Sequence, residues 1–521
     1  MKVTFYAPYA FWSPHFETEL ELMELHLEQG DEVTMISCDA AFIFCEANQE
    51  RDFSICAQCI GRAQEGLKHL SGPVNVIRLS ELMLEAKPAM QQLRQLPRTY
   101  ESFDRLYALK VDNFDLGAAV LSTLNSVFED PMPDPSADPD LTWDTLASAF
   151  AAYAALDLYL QNNTCDLFYF CNGRLANFRA ALRACNKHQV RCLVHERGAH
   201  LECYSLAENT MPHDPDFIRK YVAETLQKAE SFEQKQEAAK VFYAERREGK
   251  IANWVSYTDS QIRGSVPPGW LESPVRIAMF SSTESEFSCL REYYPPTIYP
   301  SQIEGLEMIL QELARRDFSG IFAVRMHPNS AGTRSDFTKR LSRLQYPFLR
   351  VVAPEEKLDS YALLQTAQKV LTWGSTIGIE AAYWGIPSIV AGWGEYMALG
   401  STYNPTSHAE LMDLLLGHLE PKPIAGAIDY GFYAKNFGTP LKYVTPWGPF
   451  FALFKGKPIR PAHLNKAFAS EKPTRFQKLQ RSLWTKWNQK RLNALYKGRQ
   501  FILDPAHRVA AREAKTSKHQ P

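Results

Sequence analysis

No run of apolar residues in this chain approaches the roughly twenty needed to span a bilayer as a helix. The N-terminus also lacks the pattern of a secretory signal, because Val3-Thr-Phe-Tyr6 has the character of a strand and acidic residues follow it. The cytoplasm is therefore the expected compartment. No similarity recurs at the spacing of a solenoid, and no recognised nucleic-acid motif is present. There is little net charge of either sign: the formal total is −2.

That small total hides an asymmetry. From Lys455 to Pro521 seventeen Lys and Arg face three acidic residues, so the tail carries +14 and the rest of the chain −16. Such polarity implies an anionic partner for the tail, either membrane phospholipid or nucleic acid. Phe476, Leu479, Leu483 and Trp487 recur at helical spacing, with Lys478, Arg481, Lys486, Lys490 and Arg491 on other faces. This is the pattern of an interfacial helix. With no nucleic-acid motif beside it, the expected partner is an anionic membrane surface, and the expected location is peripheral on the inner face of the cytoplasmic membrane.

What is present otherwise is ordinary for a globular protein: 521 residues, 45% hydrophobic and 22% charged. The length has room for about three domains, or for two large α/β domains and a tail. The chain opens as a Rossmann-like unit, with a strand at Val3–Ala7, an amphipathic helix over Glu17–Gln29 and a second strand at Glu32–Ser37. Residues 79–159 are mostly helical in pattern, broken by a Pro/Asp-rich loop at 130–139, and strands resume at 167–170 and 192–194. A polar helical stretch over 215–247 leads to a Gly/Pro-rich linker at 264–269. A second α/β unit follows, with strands near 275–280, 321–326, 349–353, 369–373 and 387–391 and a helix over 303–315. The expected division is an N-terminal domain 1–264, a C-terminal domain 265–425, a crossover segment 426–455 and a tail 456–521.

Two segments at strand exits carry the chemistry, Arg325-Met-His-Pro-Asn329 and Thr372-Trp-Gly-Ser-Thr-Ile-Gly-Ile-Glu-Ala381. In open α/β sheets ligands collect at the carboxyl ends of strands. Gly374, Ser375 and Thr376 at a helix start bring together backbone N–H groups and hydroxyls suited to a phosphate, or they simply cap the helix. Ser281 and Ser282 open a hydroxyl- and carboxylate-rich turn, Ser281-Ser-Thr-Glu-Ser-Glu286, at another strand exit.

The His327-Pro328 pair, the Ser375-Thr376 pair, Gly378-Ile-Glu-Ala381 and Gly385-Ile-Pro387 together resemble the donor domain of GT-B glycosyltransferases. Within that fold the likeness is to bacterial capsule polysaccharide biosynthesis proteins, which include Kdo transferases. The resemblance covers residues 275–400, and the N-terminal half only in outline. It implies two Rossmann-like doubly wound domains facing a cleft. It further implies a transferase that moves a sugar, first of all a CMP-activated ulosonic acid such as Kdo, to a surface polysaccharide or lipid-linked glycan. In sialyl- and Kdo-transferases of this architecture the His-Pro and Ser/Thr motifs hold the nucleotide and phosphate.

On that reading His327, Pro328 and Asn329, with Arg325, Gly374, Ser375, Thr376, Ser281 and Ser282, bind the donor, and Glu380 accepts from ribose hydroxyls. Arg325 has an alternative, since strand alternation can turn it away. A base is expected from the N-terminal domain: His15 or Glu17 after the first strand, or Glu196 in Val194-His-Glu-Arg-Gly-Ala-His200. Asn172, Arg174 and Arg197 on the same rim are the acceptor-binding candidates.

The scheme requires no cofactor for catalysis. The Asp-x-Asp pattern of metal-dependent transferases occurs at Asp138-Pro-Asp140, in the flexible loop. Cys38, Cys45, Cys56 and Cys59 cluster within twenty-two residues and suit a structural zinc or an iron–sulfur cluster, or remain reduced and packed. A nucleotide-sugar epimerase, a polyol-phosphate transferase and a non-catalytic glycan- or nucleotide-binding scaffold are the alternatives.

Overall fold

The computed structural model describes residues 1–250, 252, 261–283, 287–295, 297–331 and 335–460. The basic helix expected around Phe476–Trp487 lies outside them. The described residues fold as two compact units: 1–127, 133–212 and 438–460 form the first, and 128–132 with those of 213–437 form the second.

In the first unit the strands are β1 (Lys2–Ala7), β2 (Glu32–Ser37), β3 (Asn75–Arg78), β4 (Leu167–Cys171), β5 (Cys192–Arg197) and β6 (Cys203–Glu208). They run in the order β6-β5-β4-β1-β2-β3, with a short edge strand Thr439–Pro440 beyond β6. Neighbours from β5 to β3 are parallel, whereas β6 is antiparallel to β5. Because β1 is followed by β2 on one side and β4 lies on its other side, the strand order reverses between β1 and β4. The core holds Val3, Phe5, Phe16, Leu20, Val33 and Met35.

The second unit has a five-stranded parallel sheet of β7 (Arg276–Phe280), β8 (Ile321–Arg325), β9 (Leu349–Val352), β10 (Lys369–Thr372) and β11 (Ser388–Val390). Its order is β11-β10-β7-β8-β9, so the reversal falls between β7 and β10. Continuous apolar runs such as Ile321-Phe-Ala-Val324 suit strands covered on both faces. On one face Leu306, Leu310 and Leu313 of the helix Gln302–Arg315 pack on Ile277, Met279, Phe322 and Val324. Both units are thus doubly wound and Rossmann-like, the pair that the GT-B resemblance implies.

The boundaries differ from the expected ones. The helices Pro215–Gln227 and Phe232–Arg247 belong to the second unit, because Ile218, Val222, Phe242 and Tyr243 bury against Ile379, Ala382, Ile428 and Tyr430. The helix Ala425–Asn436, expected in a crossover segment, shares that core. Residues 438–460 return to the first unit, where Val444, Ala452, Phe454 and Ile459 pack with Phe16 and Leu20. Buried apolar area, rather than the Gly/Pro signal at 264–269, decides where the units divide.

Candidate functional site

In the second unit the loops leaving β7, β8 and β10 meet at the strand-order reversal. Ser281 is buried; its Oγ accepts from the His327 N–H at 2.8 Å and its own N–H donates to the Arg325 carbonyl at 3.0 Å. Ser282 donates from Oγ to the Trp373 carbonyl at 3.3 Å and from its N–H to Gln302 Oε1 at 3.0 Å. The two serines expected to touch a ligand therefore tie three loops together, satisfying backbone groups that a strand end leaves unpaired.

His327 stands half-buried at the exit of β8, and Pro328–Ser330, including Asn329, form a 3-10 turn directly after it. Arg325 is not beside it. As strand alternation allows, it turns away and donates to the Ala353 carbonyl at 2.6 Å and to Ser360 Oγ at 3.4 Å. Burial lowers its pKa.

After β10, Gly374 has φ +103°, and a Cβ there would lie 1.6 Å from the Trp393 carbonyl oxygen. Only glycine allows this approach of two loops. Ser375 follows with its N–H on Thr372 Oγ1 at 3.1 Å and its carbonyl accepting from Tyr396 Oη at 2.5 Å. Thr376 precedes the helix Ile377–Tyr383 and makes no side-chain capping bond. That helix is only seven residues long, so its dipole is weak.

The positive charge comes instead from Arg246, at the end of the helix Phe232–Arg247, whose Nη2 lies 3.5 Å from Thr376 Oγ1. Glu380, fully buried, holds this guanidinium: Arg246 Nε donates to Oε1 at 2.6 Å and Tyr361 Oη to Oε2 at 2.5 Å. Glu380 is thus engaged and does not face a ribose. Burial works against the charge on Arg246, but the Glu380 carboxylate outweighs it and raises the pKa. Sequence reasoning missed Arg246. Nothing near it in the chain marks it, and only the docking of its helix on Glu380 brings it to the site.

Two pockets adjoin at Gly374 and Trp393. One, of about 260 Å3, is walled by Ile218, Phe287, Tyr294, Thr376, Tyr396 and Tyr430, with Glu395 at its edge. The other, of about 500 Å3, is lined by Ser282, Thr283, Arg291, Arg340 and Trp373. Phe287, Tyr294 and Trp393 meet edge-on at 4.8 and 5.8 Å between ring centroids. Such a cluster offers flat apolar faces to a base or sugar.

In the first unit the reversal between β1 and β4 gathers other residues. His15 opens the helix His15–Glu28, Cys171 ends β4, and His195 and Glu196 lie on β5. His15 Nδ1 is 3.5 Å from Cys171 Sγ, and its Nε2 is 3.8 Å from Glu196 Oε1. Burial lowers the pKa of His15 to about 4, against the pull of Glu196, so its ring is neutral at neutral pH. Asn172 Nδ2 donates to Glu196 Oε2 at 3.3 Å.

Three expected residues are not part of this rim. Glu17 is fully buried and paired with Arg62 at 2.6 Å. Arg174 points inward, donating to Ser122 Oγ at 3.0 Å. Arg197 donates to the Pro449 carbonyl at 2.6 Å and anchors the returning segment. In each case the side chain is engaged by partners within the first unit. Asp138 accepts from the Leu141 N–H at 2.9 Å as a helix cap, which accounts for the Asp-Pro-Asp pattern.

Cys38, Cys45, Cys56 and Cys59 are half-buried and not joined in disulfides. Cys56 accepts from Asn48 Nδ2 at 3.2 Å, and Cys59 points to the Pro8 carbonyl at 3.9 Å. Burial raises the pKa of Cys59 to about 12. Among the described residues these four do not supply a group of three ligand atoms within 4.8 Å of one another; His15, Cys171 and His195 do.

Residues 297–414 match the family model of the capsule polysaccharide biosynthesis protein, so the expected likeness holds over the segment that builds much of the second-unit site. No curated protein matches the chain. Among solved structures, a β-Kdo 2,4-transferase KpsC from Thermosulfurimonas dismutans is 14% identical with a TM-score of 0.36, covering 57% of this chain and 84% of its own. The UDP-GlcNAc 2-epimerase of Neisseria meningitidis is 12% identical with a TM-score of 0.27, covering 82% of this chain and 98% of its own.

Proposed function

We propose, from the capsule polysaccharide biosynthesis domain at 297–414, that this protein is a glycosyltransferase acting on a bacterial surface polysaccharide or lipid-linked glycan. The donor is a nucleotide-activated sugar, CMP-Kdo or a similar ulosonic acid first. The observation that carries the reading is the Arg246 guanidinium, fixed by Glu380 beside Thr376, a residue that lines a pocket with aromatic walls. A fixed cation and a hydroxyl suit a phosphate, and the aromatic faces suit a base.

His327 and Arg246 stabilise the charge that develops on the departing phosphate, which is where preorganised donors accelerate transfer most. Glu395, at the pocket edge, takes the ribose role that Glu380 cannot fill. On the acceptor side Glu196, oriented by Asn172, is the base. The tail brings the enzyme to an anionic membrane surface.

The test is a thermal-shift panel of CMP, CDP, UDP and GDP on the wild type and on Arg246→Ala. Selective stabilisation by CMP in the wild type alone is the expected result. Stabilisation by UDP alone, with nucleotide turnover in the absence of any glycan acceptor, supports an epimerase instead. His327→Ala is expected to keep the fold and to lose about two orders of magnitude in turnover, the scale of one transition-state donor. Wild-type rates from that variant overturn its role.

A further inference from the structure

His15, Cys171 and His195 lie outside the donor pocket, and the transfer reaction proposed above makes no use of Cys171 or His195. Their ligand atoms all fall within 4.8 Å of one another, and the His15 Nδ1 to Cys171 Sγ separation is 3.5 Å. Bond lengths of about 2.1 Å for Zn–N and 2.3 Å for Zn–S in a tetrahedron put neighbouring ligand atoms about 3.6 Å apart.

The remaining nitrogens are arranged as metal-binding imidazoles require. His195 is fully buried; its Nε2 faces Glu19 Oε1 at 3.4 Å, while Nδ1 is a buried nitrogen with no hydrogen-bond partner. His15 directs Nε2 toward Glu196 at 3.8 Å and Nδ1 toward the thiol. Each ring thus has one nitrogen toward a carboxylate, the outer arrangement that fixes the tautomer of a ligating histidine. A packed core leaves an orphaned imidazole nitrogen only at a cost, which coordination removes.

We propose that His15 Nδ1, Cys171 Sγ and His195 Nδ1 bind a divalent metal ion of zinc type, with Glu196 and Glu19 as the carboxylate partners of the two rings. Binding releases the Cys171 proton to solvent and leaves a fourth position for water or a ligand oxygen. The ion pins the loop after β1 to the ends of β4 and β5, at the strand-order reversal where Asn172 and Glu196 also stand. This site is independent of the donor reading, and each can fail without the other.

The experiment uses the full chain, purified without a histidine tag and carrying Cys56→Ser and Cys59→Ser to silence the other thiol cluster. Cobalt(II) is titrated as a probe, zinc competes for it, and folding is followed by circular dichroism. One cobalt per chain, with a thiolate-to-metal charge-transfer band displaced by zinc, is expected. Cys171→Ser should abolish the band. His195→Gln keeps a donor toward Glu19 but lacks the Nδ1 ligand, and should weaken zinc binding by at least about 100-fold, beyond the 10–100-fold typical of an outer partner. Glu19→Gln should fall within that smaller range. A folded protein that binds no cobalt, or His195→Gln binding as tightly as its parent, overturns the proposal.

Discussion

At the scale of single residues, the second-unit site depends on a pair that has to form before a ligand arrives. Glu380 fixes Arg246, so Glu380→Gln should weaken CMP binding by about tenfold, or about 1.4 kcal/mol, through a loosened guanidinium. Isothermal titration measures it, and unchanged affinity would show that Arg246 does not need its partner. In the first unit Asp115 pairs with Arg179 and Arg183. Burial pushes the Asp115 pKa up, but Arg183 and Arg179 outweigh it and hold it well below the usual carboxylate range. A depressed carboxylate contributes stability above its unfolded pKa, and this is lost as pH falls through the folded value. Asp115→Asn should therefore cost about 3 kcal/mol at neutral pH and flatten the acid limb of the stability curve in chemical denaturation.

At the scale of elements, the crossing of the loops after β10 and β11 is the point of least tolerance. A Cβ at position 374 meets the Trp393 carbonyl oxygen at 1.6 Å, so the two loops have to part. Gly374→Ala should lower the melting temperature, with a cost near or above the 1–3 kcal/mol of ordinary overpacking, and should remove nucleotide-induced stabilisation. A variant that melts and binds like the wild type would place the nucleotide elsewhere. Strong patterns made most elements legible: the apolar runs at β8 and β10 and the Ile303, Leu306, Leu310 and Leu313 stripe all appear where periodicity puts them. β3 escaped because Asn75-Val-Ile-Arg78 is short and mostly exposed. β6 escaped because Cys203–Glu208 is an antiparallel strand whose partner, β5, defines it.

At the scale of the whole molecule, the basic tail is tested by where it is cut. Ile459 is fully buried and its carbonyl accepts from Arg62 Nη1 at 2.5 Å, while Lys455 pairs with Glu24 at 2.5 Å. A chain ending near Lys455 would therefore damage the first unit, and the cut belongs after Arg460. The full chain is expected to pellet with anionic vesicles and to be released by salt, since exposed charges are screened beyond about 8 Å at physiological ionic strength. The chain ending at Arg460 should stay in solution. Equal partitioning, or preference for nucleic acid at the same salt, removes the membrane role.

By itself the sequence determined the two doubly wound units, the strand exits that carry His327, Ser375 and Thr376, and the charge asymmetry of the tail. These follow from local periodicity, turn residues and composition, each legible within a short window. The tertiary structure alone decided which polar side chains are available. Glu17, Arg174, Arg325 and Glu380 carry the right chemistry but spend it on buried partners, and Arg246 enters from a helix remote in the chain. The meeting of His15, Cys171 and His195 is likewise set by sheet order, because β1, β4 and β5 become neighbours only when the strands assemble. Burial and long-range adjacency depend on the whole packed chain, and no short window contains them.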